Sequence, residues 1–350
     1  MNVLSLFDGM SCGQIALKQL GIPINKYYAA EIDPYAMRVT QNNFPETIHL
    51  GDVTKVKGED LEKIDLLLGG SPCQGFSFAG KQLNFDDPRS ALFFEFVRLL
   101  KECNPKYFLL ENVRMKKEYQ DVITEHLGVE PIMINSALVS AQNRVRLYWT
   151  NIPNITQPED RGILLKDILE YDVPNEYEEP YVKLNGKEEG CVGYVGKQPK
   201  QATRIYDSNN KSQCLTALGG GQGGKTGLYQ IPTVDRDKLY CLTTSMTKEH
   251  ILKFSTQKDN VVILQKSRGN NKGGYRAVDG KAPTLTSNSW EQNNFVTDKM
   301  YYRKLTPLEC ERLQTVPDGY TEGVSNTQRY KMLGNGWTVE VIKHVLQNIT

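Results

Sequence analysis

Gly69-Gly70-Ser71-Pro72-Cys73-Gln74-Gly75-Phe76-Ser77 follows directly on a mostly apolar run, Ile64 to Leu68. A short apolar run bounded by glycines reads as a buried parallel strand. Two glycines and a proline then end it and force a turn. Cys73 is therefore expected just beyond the carboxyl end of a sheet strand, the edge at which open α/β sheets bind ligands. A lone cysteine is ordinarily a small buried hydrophobe. A core cysteine, however, has no need of a preceding proline or of the Gly/Ser-rich run to Gly80, and such flanks suit a nucleophile on a loop that closes over its substrate.

Working outward toward the N-terminus, Val3 to Phe7 reads as a first strand and Asp8-Gly9-Met10-Ser11-Cys12-Gly13 as a tight loop. Gln14 to Leu20 has helical spacing, and Gly21 closes it. Strand, glycine loop and helix open a nucleotide-binding α/β domain, although G-x-G-x-x-G is absent and a simple turn explains the loop equally well. Tyr27 to Ala30 is the second strand and ends in Glu31, a carboxylate able to accept from both ribose hydroxyls. Asp33 and Pro34 read as N-cap and first residue of a helix. Ile48 to Leu50 leads to Asp52 and Val53, placed to meet an adenine amino group and ring. Each acid alone reads as surface charge; acids and glycines at successive strand ends together favour a cofactor.

Toward the C-terminus, Ala91 to Cys103 is an amphipathic helix and Lys106 to Leu110 a strand. Glu111-Asn112-Val113 is expected at the end of that strand, on the same edge as Cys73, which makes Glu111 a candidate acid. Pro131 to Asn135 is a further strand. Arg144 and Arg146, at i and i+2, lie on one side of the next, opposite Val145 and Leu147. They form either an exposed basic face or a pair of donors aimed at an anion or carbonyl.

Phe-x-Gly, Pro-Cys-Gln, Glu-Asn-Val and Gln-x-Arg-x-Arg, in this order, resemble the motifs of the DNA (cytosine-5) methyltransferases, of the compact bacterial or phage type. The resemblance covers about residues 1–153 and 301–350. It implies a mixed, mostly parallel sheet with flanking helices, the Rossmann-like fold of S-adenosylmethionine-dependent methyltransferases, plus a small β-rich target-recognition domain. It divides the chain into a catalytic and cofactor domain, 1–153, a recognition region, 154–300, and a motif region with a returning helix, 301–350. It implies Cys73 as the nucleophile that adds to cytosine C6. Glu111 would bond N3 and the 4-amino group, Arg146 the O2 carbonyl, and Arg144 a loop or a phosphate. It implies S-adenosylmethionine, converted to S-adenosylhomocysteine, against Phe7, Gly9, Gly13, Glu31, Ile32, Asp52, Val53, Pro72, Leu92 and Asn335. No metal is required. The family commonly carries a hydroxyl residue and an aliphatic where this chain has Gly336 and Trp337, so those two side-chain contacts are not carried over.

The remaining sequence narrows the partners. The chain has 350 residues, 39% hydrophobic and 24% charged, with a net charge of +1. Residues 181–300 hold 18 Lys and Arg against 10 Asp and Glu, whereas 151–180 hold 2 against 8. A basic segment of this kind suits a nucleic-acid face. Gln74, Ser77, Arg89, Lys225, Arg268, Lys272 and Arg276 are the candidate DNA contacts. Gly219 to Thr226 matches the P-loop pattern, but Gly227 follows at once and Pro232 soon after, so no helix opens to receive a phosphate. A glycine loop that approaches DNA, or a plain solvent loop, explains it better.

Gln213 to Ala217, Tyr240 to Thr244 and Ala282 to Thr286 are similar short runs and are expected as strands. Thr306 and Pro307 start a helix, and Val339 to Leu346 forms the last one, expected to pack back on the first domain. No signal peptide or membrane span is visible, and the seven scattered cysteines lack a C-x-x-C pair. A cytoplasmic, monomeric enzyme acting on double-stranded DNA is expected, with a cognate restriction endonuclease as a further partner. An RNA cytosine-5 methyltransferase and a catalytically silent DNA-binding regulator are the alternatives. A nicotinamide oxidoreductase fails on the missing dinucleotide glycines.

Overall fold

The computed structural model describes residues 1–71, 88–170, 181–183, 190–195, 204–215, 228–230, 262–265, 274–277, 293–297, 302–303 and 305–349. Pro72, Cys73, Gln74, Ser77, Lys225, Arg268 and Lys272 lie outside the described residues, as do the P-loop-like run and the similar runs at 240–244 and 282–286.

The N-terminal part alternates strands and helices. These are β1 (Asn2–Leu6), α1 (Cys12–Gln19), β2 (Lys26–Ala30), α2 (Pro34–Asn43), β3 (Ile48–His49), β4 (Leu66–Gly69), α3 (Pro88–Cys103), β5 (Tyr107–Val113), α4 (Lys117–Leu127), β6 (Ile132–Asn135) and β7 (Val145–Thr150). The strands form one sheet in the order β3-β2-β1-β4-β5-β7-β6. The pairs β2–β3, β1–β2, β1–β4 and β4–β5 are parallel, and β7 is antiparallel to both its neighbours. The order reverses between β1 and β4, and at such a switch point the loops part and leave a crevice. The central strands are apolar on both faces, as a sheet covered by helices requires: Leu4, Leu6, Leu67, Phe96, Leu99, Leu110 and Trp149 are all fully buried in one cluster.

Local chemistry explains the element ends. Asp33 caps α2 by accepting from the Tyr35 N–H at 2.9 Å, with Pro34 at the first helical position. Gly21 follows α1 at φ +69°, the left-handed conformation that ends helices. The loop from β1 to α1 carries Phe7, Gly9 and Ser11 at φ near +58°. Three left-handed residues in five fold this connection tightly over the end of β1.

One boundary differs from expectation. Glu111 and Asn112 lie inside β5, which runs on to Val113. The parallel ladder to β4 stops at Gly69 opposite Leu110, but antiparallel β7 continues the pairing, with Tyr148 opposite Glu111 and Arg146 opposite Val113. Glu111 thus stands one residue beyond the parallel edge while its backbone stays fixed.

Past β7, residues Leu165–Ile168 make one 3-10 turn. The strands β8 (Tyr181–Lys183), β9 (Cys191–Val195), β10 (Arg204–Tyr206) and β11 (Leu228–Gln230) are neighbours in a second sheet. Gln213 to Leu215, expected as part of a strand, joins no ladder. The Leu215 N–H is instead satisfied by the Gln142 side chain at 2.8 Å.

Helices α5 (Pro307–Leu313), α6 (Asn326–Asn335) and α7 (Val339–Leu346) complete the first compact unit, which comprises 1–174, 179–229 and 304–350. Thr306 caps α5 in a reciprocal box with Glu309. The buried face of α7, Val339, Val341, Ile342, Val345 and Leu346, packs on α1. The second unit, 175–178 and 230–303, holds an antiparallel sheet of β12 (Val262–Gln265) between β13 (Gly274–Ala277) and β14 (Asn293–Thr297), with Arg276 in β13. Among the described residues no helix is long and apolar enough to cross a membrane.

Candidate active site

Two half-sites share the edge formed by the carboxyl ends of β1 to β5. The first surrounds the β1–α1 loop. The Glu31 carboxylate closes over it, accepting from the Gly9 N–H at 2.7 Å and from the Ile32 and Asp33 N–H groups at 2.8 Å each. Its remaining lone pairs are free to accept more. Ile32 beside it is 75% exposed, an apolar side chain presented to solvent at the strand end. Asp52 accepts from the Thr54 N–H and hydroxyl at 3.0 and 2.9 Å, which hold its carboxyl below the usual range. Val53 is buried behind it, and Phe7 and Leu92 are half-buried.

Gly13, in the first turn of α1, is closely packed: a Cβ there would stand 2.6 Å from Leu68 Cδ1 and 3.2 Å from the Tyr27 hydroxyl, so both would have to shift. Asp8 sits at the root of the same loop. Its carboxyl accepts from the Tyr27 hydroxyl at 2.8 Å and from the Ser11 hydroxyl. Burial nonetheless pushes it up to about 6, against the lowering effect of those bonds.

The second half-site surrounds Glu111, whose side chain is 10% exposed. Arg146 Nε donates to Glu111 Oε1 at 2.9 Å, and the indole N–H of Trp337 donates to Oε2 at 3.1 Å. A buried carboxylate is tolerated only when paired and hydrogen-bonded, and here each oxygen has its own donor. Burial against this carboxylate also raises the pKa of Tyr148, its cross-strand neighbour. Asn112, next along β5, donates to the Ser71 hydroxyl at 3.3 Å and so ties Ser71, two residues after the end of β4, to the strand that carries Glu111.

The two arginines diverge. Arg146 stays at the carboxylate. Arg144 is buried and donates to the carbonyls of Leu215 at 3.0 Å, Gly334 at 3.2 Å and Gly336 at 2.9 Å. Burial first, and Arg146 second, lower its pKa. It holds the segment between α6 and α7 against β7, a role shared by Gln314, whose amide donates to Leu333 O at 2.6 Å and Gly336 O at 3.1 Å. Asn335, the last residue of α6, is exposed. Arg89 lies in the first turn of α3.

The structure therefore brings together Glu111, Arg146, Ser71 and Asn112, and separately Gly9, Glu31 and Ile32, with Gly13 beside Tyr27 and Trp337. Sequence reasoning missed Trp337, Asn112 and Gln314. The unusual Gly336-Trp337 pair was the one available signal for the first of these.

The family model of the C-5 cytosine-specific DNA methylases matches residues 1–350. The chain belongs to that family. It is a DNA (cytosine-5) methyltransferase, an enzyme of DNA methylation. The orphan methyltransferase M.SPRI of Bacillus phage SPR is 29% identical, with 100% of this chain and 97% of the relative covered. The type II methyltransferase M.NlaIV of Neisseria lactamica is 30% identical, with 100% and 98% covered. Among solved structures, the methyltransferase EhMeth of Entamoeba histolytica superposes with a TM-score of 0.64 at 16% identity, covering 99% of this chain and 97% of that one. That similarity shows the shared fold of this DNA methyltransferase.

Proposed function

We propose that this DNA methyltransferase works through a covalent Cys73 adduct, with Glu111 and Arg146 receiving the cytosine and the Gly9–Glu31 edge receiving the methyl donor. The observation that supports the reading most is the buried Glu111 carboxylate, paired with Arg146 one residue beyond the β4–β5 parallel edge and bonded through its neighbour Asn112 to Ser71 at the root of the Cys73 loop.

Carbon 5 of cytosine is too weak a nucleophile to take a methyl group unaided. Addition of the Cys73 thiolate to C6 forms a C–S bond, moves the C5–C6 π pair into the C4–C5 bond and the C4–N3 π pair onto N3, and N3 takes a proton from Glu111, which enters this step as the neutral carboxyl and leaves it as the carboxylate paired with Arg146. Carbon 5 of the resulting enamine is nucleophilic. After C5 has gained the methyl group, its proton leaves to a base, the electrons return, the C6–S bond breaks and N3 gives back its proton. Arg146 bonds the O2 carbonyl and holds Glu111 in place. The target base must leave the duplex stack, at a cost of about a few kcal/mol.

The residues of the first half-site fit S-adenosylmethionine, which when bound supplies an electrophilic methyl group. Glu31 would accept from the ribose hydroxyls, Ile32 and Val53 would pack on the adenine, and Asp52 would accept from its amino group. Phe7, Gly9, Gly13, Pro72, Leu92 and Asn335 would complete the site. Residues 154–300 would read the DNA, with Arg276, Arg268, Lys272 and Lys225 toward phosphates or base edges, and Gln74, Ser77 and Arg89 beside the flipped base. A monomer in the cytoplasm, with or without a cognate endonuclease, suffices for this chemistry.

The test is mass spectrometry after incubation with S-adenosylmethionine and duplexes carrying 5-fluorocytosine in varied contexts. Fluorine at C5 blocks the elimination step. An adduct on Cys73 is the expected result, and the trapped duplexes would identify the recognition sequence. Trapping on another residue, or on RNA alone, overturns the reading.

A further inference from the structure

We propose that Trp337 is a positioning residue for Glu111, so that methylation by this chain depends on one indole N–H. The inference rests on the reading of Glu111 given above. It begins from the 3.1 Å bond between Trp337 Nε1 and Glu111 Oε2.

Arg146 binds the other carboxylate oxygen at 2.9 Å. The two donors differ in kind. The guanidinium neutralises the carboxylate, whereas the indole fixes its rotation about the last side-chain bond. An indole N–H only donates and takes no part in proton exchange near neutral pH. It can therefore orient the acid without competing for the proton that Glu111 must pass to N3.

The indole is itself placed by bare backbone. A Cβ on Gly70 would stand 2.8 Å from Trp337 Nε1, and one on Gly13 would stand 3.7 Å from Cζ3. The ring rests between the root of the Cys73 loop and the first turn of α1. On its other side the preceding residue is equally constrained. A Cβ on Gly336 would meet Met10 Cε at 2.8 Å and Met332 O at 3.1 Å. The Gly336 carbonyl accepts from both Arg144 and Gln314. The bare Gly336 thus leaves room for Met10 and the Met332 carbonyl beside the peptide that carries Trp337. Arg144 fixes the same peptide and so acts on Glu111 at second hand.

The test uses a reaction that bypasses the methyl donor. Without it, adduct formation lets C5 take a solvent proton and lose its own hydrogen before the C6–S bond breaks, which releases tritium from duplex DNA labelled at cytosine C5. Trp337→Phe keeps the ring and removes the N–H. The expected result is a roughly 10- to 100-fold loss in donor-free tritium release and in kcat for methylation. Affinity for S-adenosylhomocysteine, KM for DNA and Tm should each stay near those of the parent chain. If Trp337→Phe lowers stability, a benzothienyl isostere at position 337, with sulfur in place of N–H, carries the same expectation. Tritium release at the parental rate from the N–H-free protein, or a loss explained by weakened cofactor binding, overturns the proposal. Glu111→Gln is the companion variant: parental tritium release from it would overturn the Glu111 reading itself.

Discussion

Asp8 should make the protein less stable as pH rises through the mildly acid range, and Asp8→Asn should remove that dependence. The carboxyl lies at the root of the β1–α1 loop, and its pKa moves from 3.8 to about 6 on folding. Between these values the unfolded chain has released the proton that the native chain still holds. The native state binds more protons, so stability falls with rising pH. The penalty is fully absent below the unfolded value and fully present above the folded one. A separation of this size corresponds to about 3 kcal/mol above pH 7 and about 1 kcal/mol at pH 4.5. The amide of the variant would keep an oxygen for the Tyr27 hydroxyl and carry no charge. Whatever constant offset it introduces, the variant's stability should not follow the same curve. The stability of the variant relative to the parent should rise by about 2 kcal/mol between pH 4.5 and pH 7.5. Urea denaturation at four pH values, followed by tryptophan fluorescence and far-ultraviolet circular dichroism together, measures it. A variant-minus-parent difference that stays constant across the range would refute the reasoning, and one that falls with pH would mean that the bonds from Ser11 and Tyr27 outweigh burial.

Other substitutions report on parts of the frame. Glu311 is fully buried and accepts from Arg329 at 2.9 Å and from the N–H groups of Gly319 and Thr321 at 2.7 and 2.8 Å. Glu311→Gln should cost about 3–5 kcal/mol by leaving the Arg329 charge uncompensated, measured by urea denaturation of unmodified and variant chains. Gly13→Ala should cost about 1–3 kcal/mol, since Leu68 and the Tyr27 hydroxyl must both give way to the new methyl group. Calorimetry with S-adenosylhomocysteine should show weaker binding in the same variant, because the displaced α1 carries the loop that Glu31 closes.

How far the sequence could be read depended on how local the determining interactions were. The frames of β1, α1 and β2 follow from spacing and from caps within a few residues, and Asp33-Pro34 and Thr306-Pro307 announce their helices outright. Val339 to Leu346 is legible because its apolar face is complete in itself. Glu111 was placed on the right edge, but its strand was ended too early, since the strand that prolongs it is β7, which begins only at Val145. Helix α6, Asn-Thr-Gln-Arg-Tyr-Lys-Met-Leu-Gly-Asn, carries little apolar periodicity and buries only Met332, Leu333 and Gly334, so its pattern gave no warning. The bond from Trp337 to Glu111 joins positions 226 apart, and neither propensity nor spacing reaches that far. Arg144 illustrates the same limit from the other side: its spacing from Arg146 allowed an exposed basic face, whereas it is buried on the carbonyls of Leu215, Gly334 and Gly336.

The packing of α7 on α1 has a consequence for synthesis. Residues 339–346 emerge long after the helix at 12–19 that they cover, and at about 5–20 residues per second a ribosome needs on the order of tens of seconds to supply them. During that interval the apolar side of α1 has no cover, and the segment that delivers Trp337 to Glu111 does not yet exist. The nascent chain can form Glu111 and its strand early but cannot surround them as the finished protein does. Methylation would then begin only with chains whose C-terminal segment has been translated.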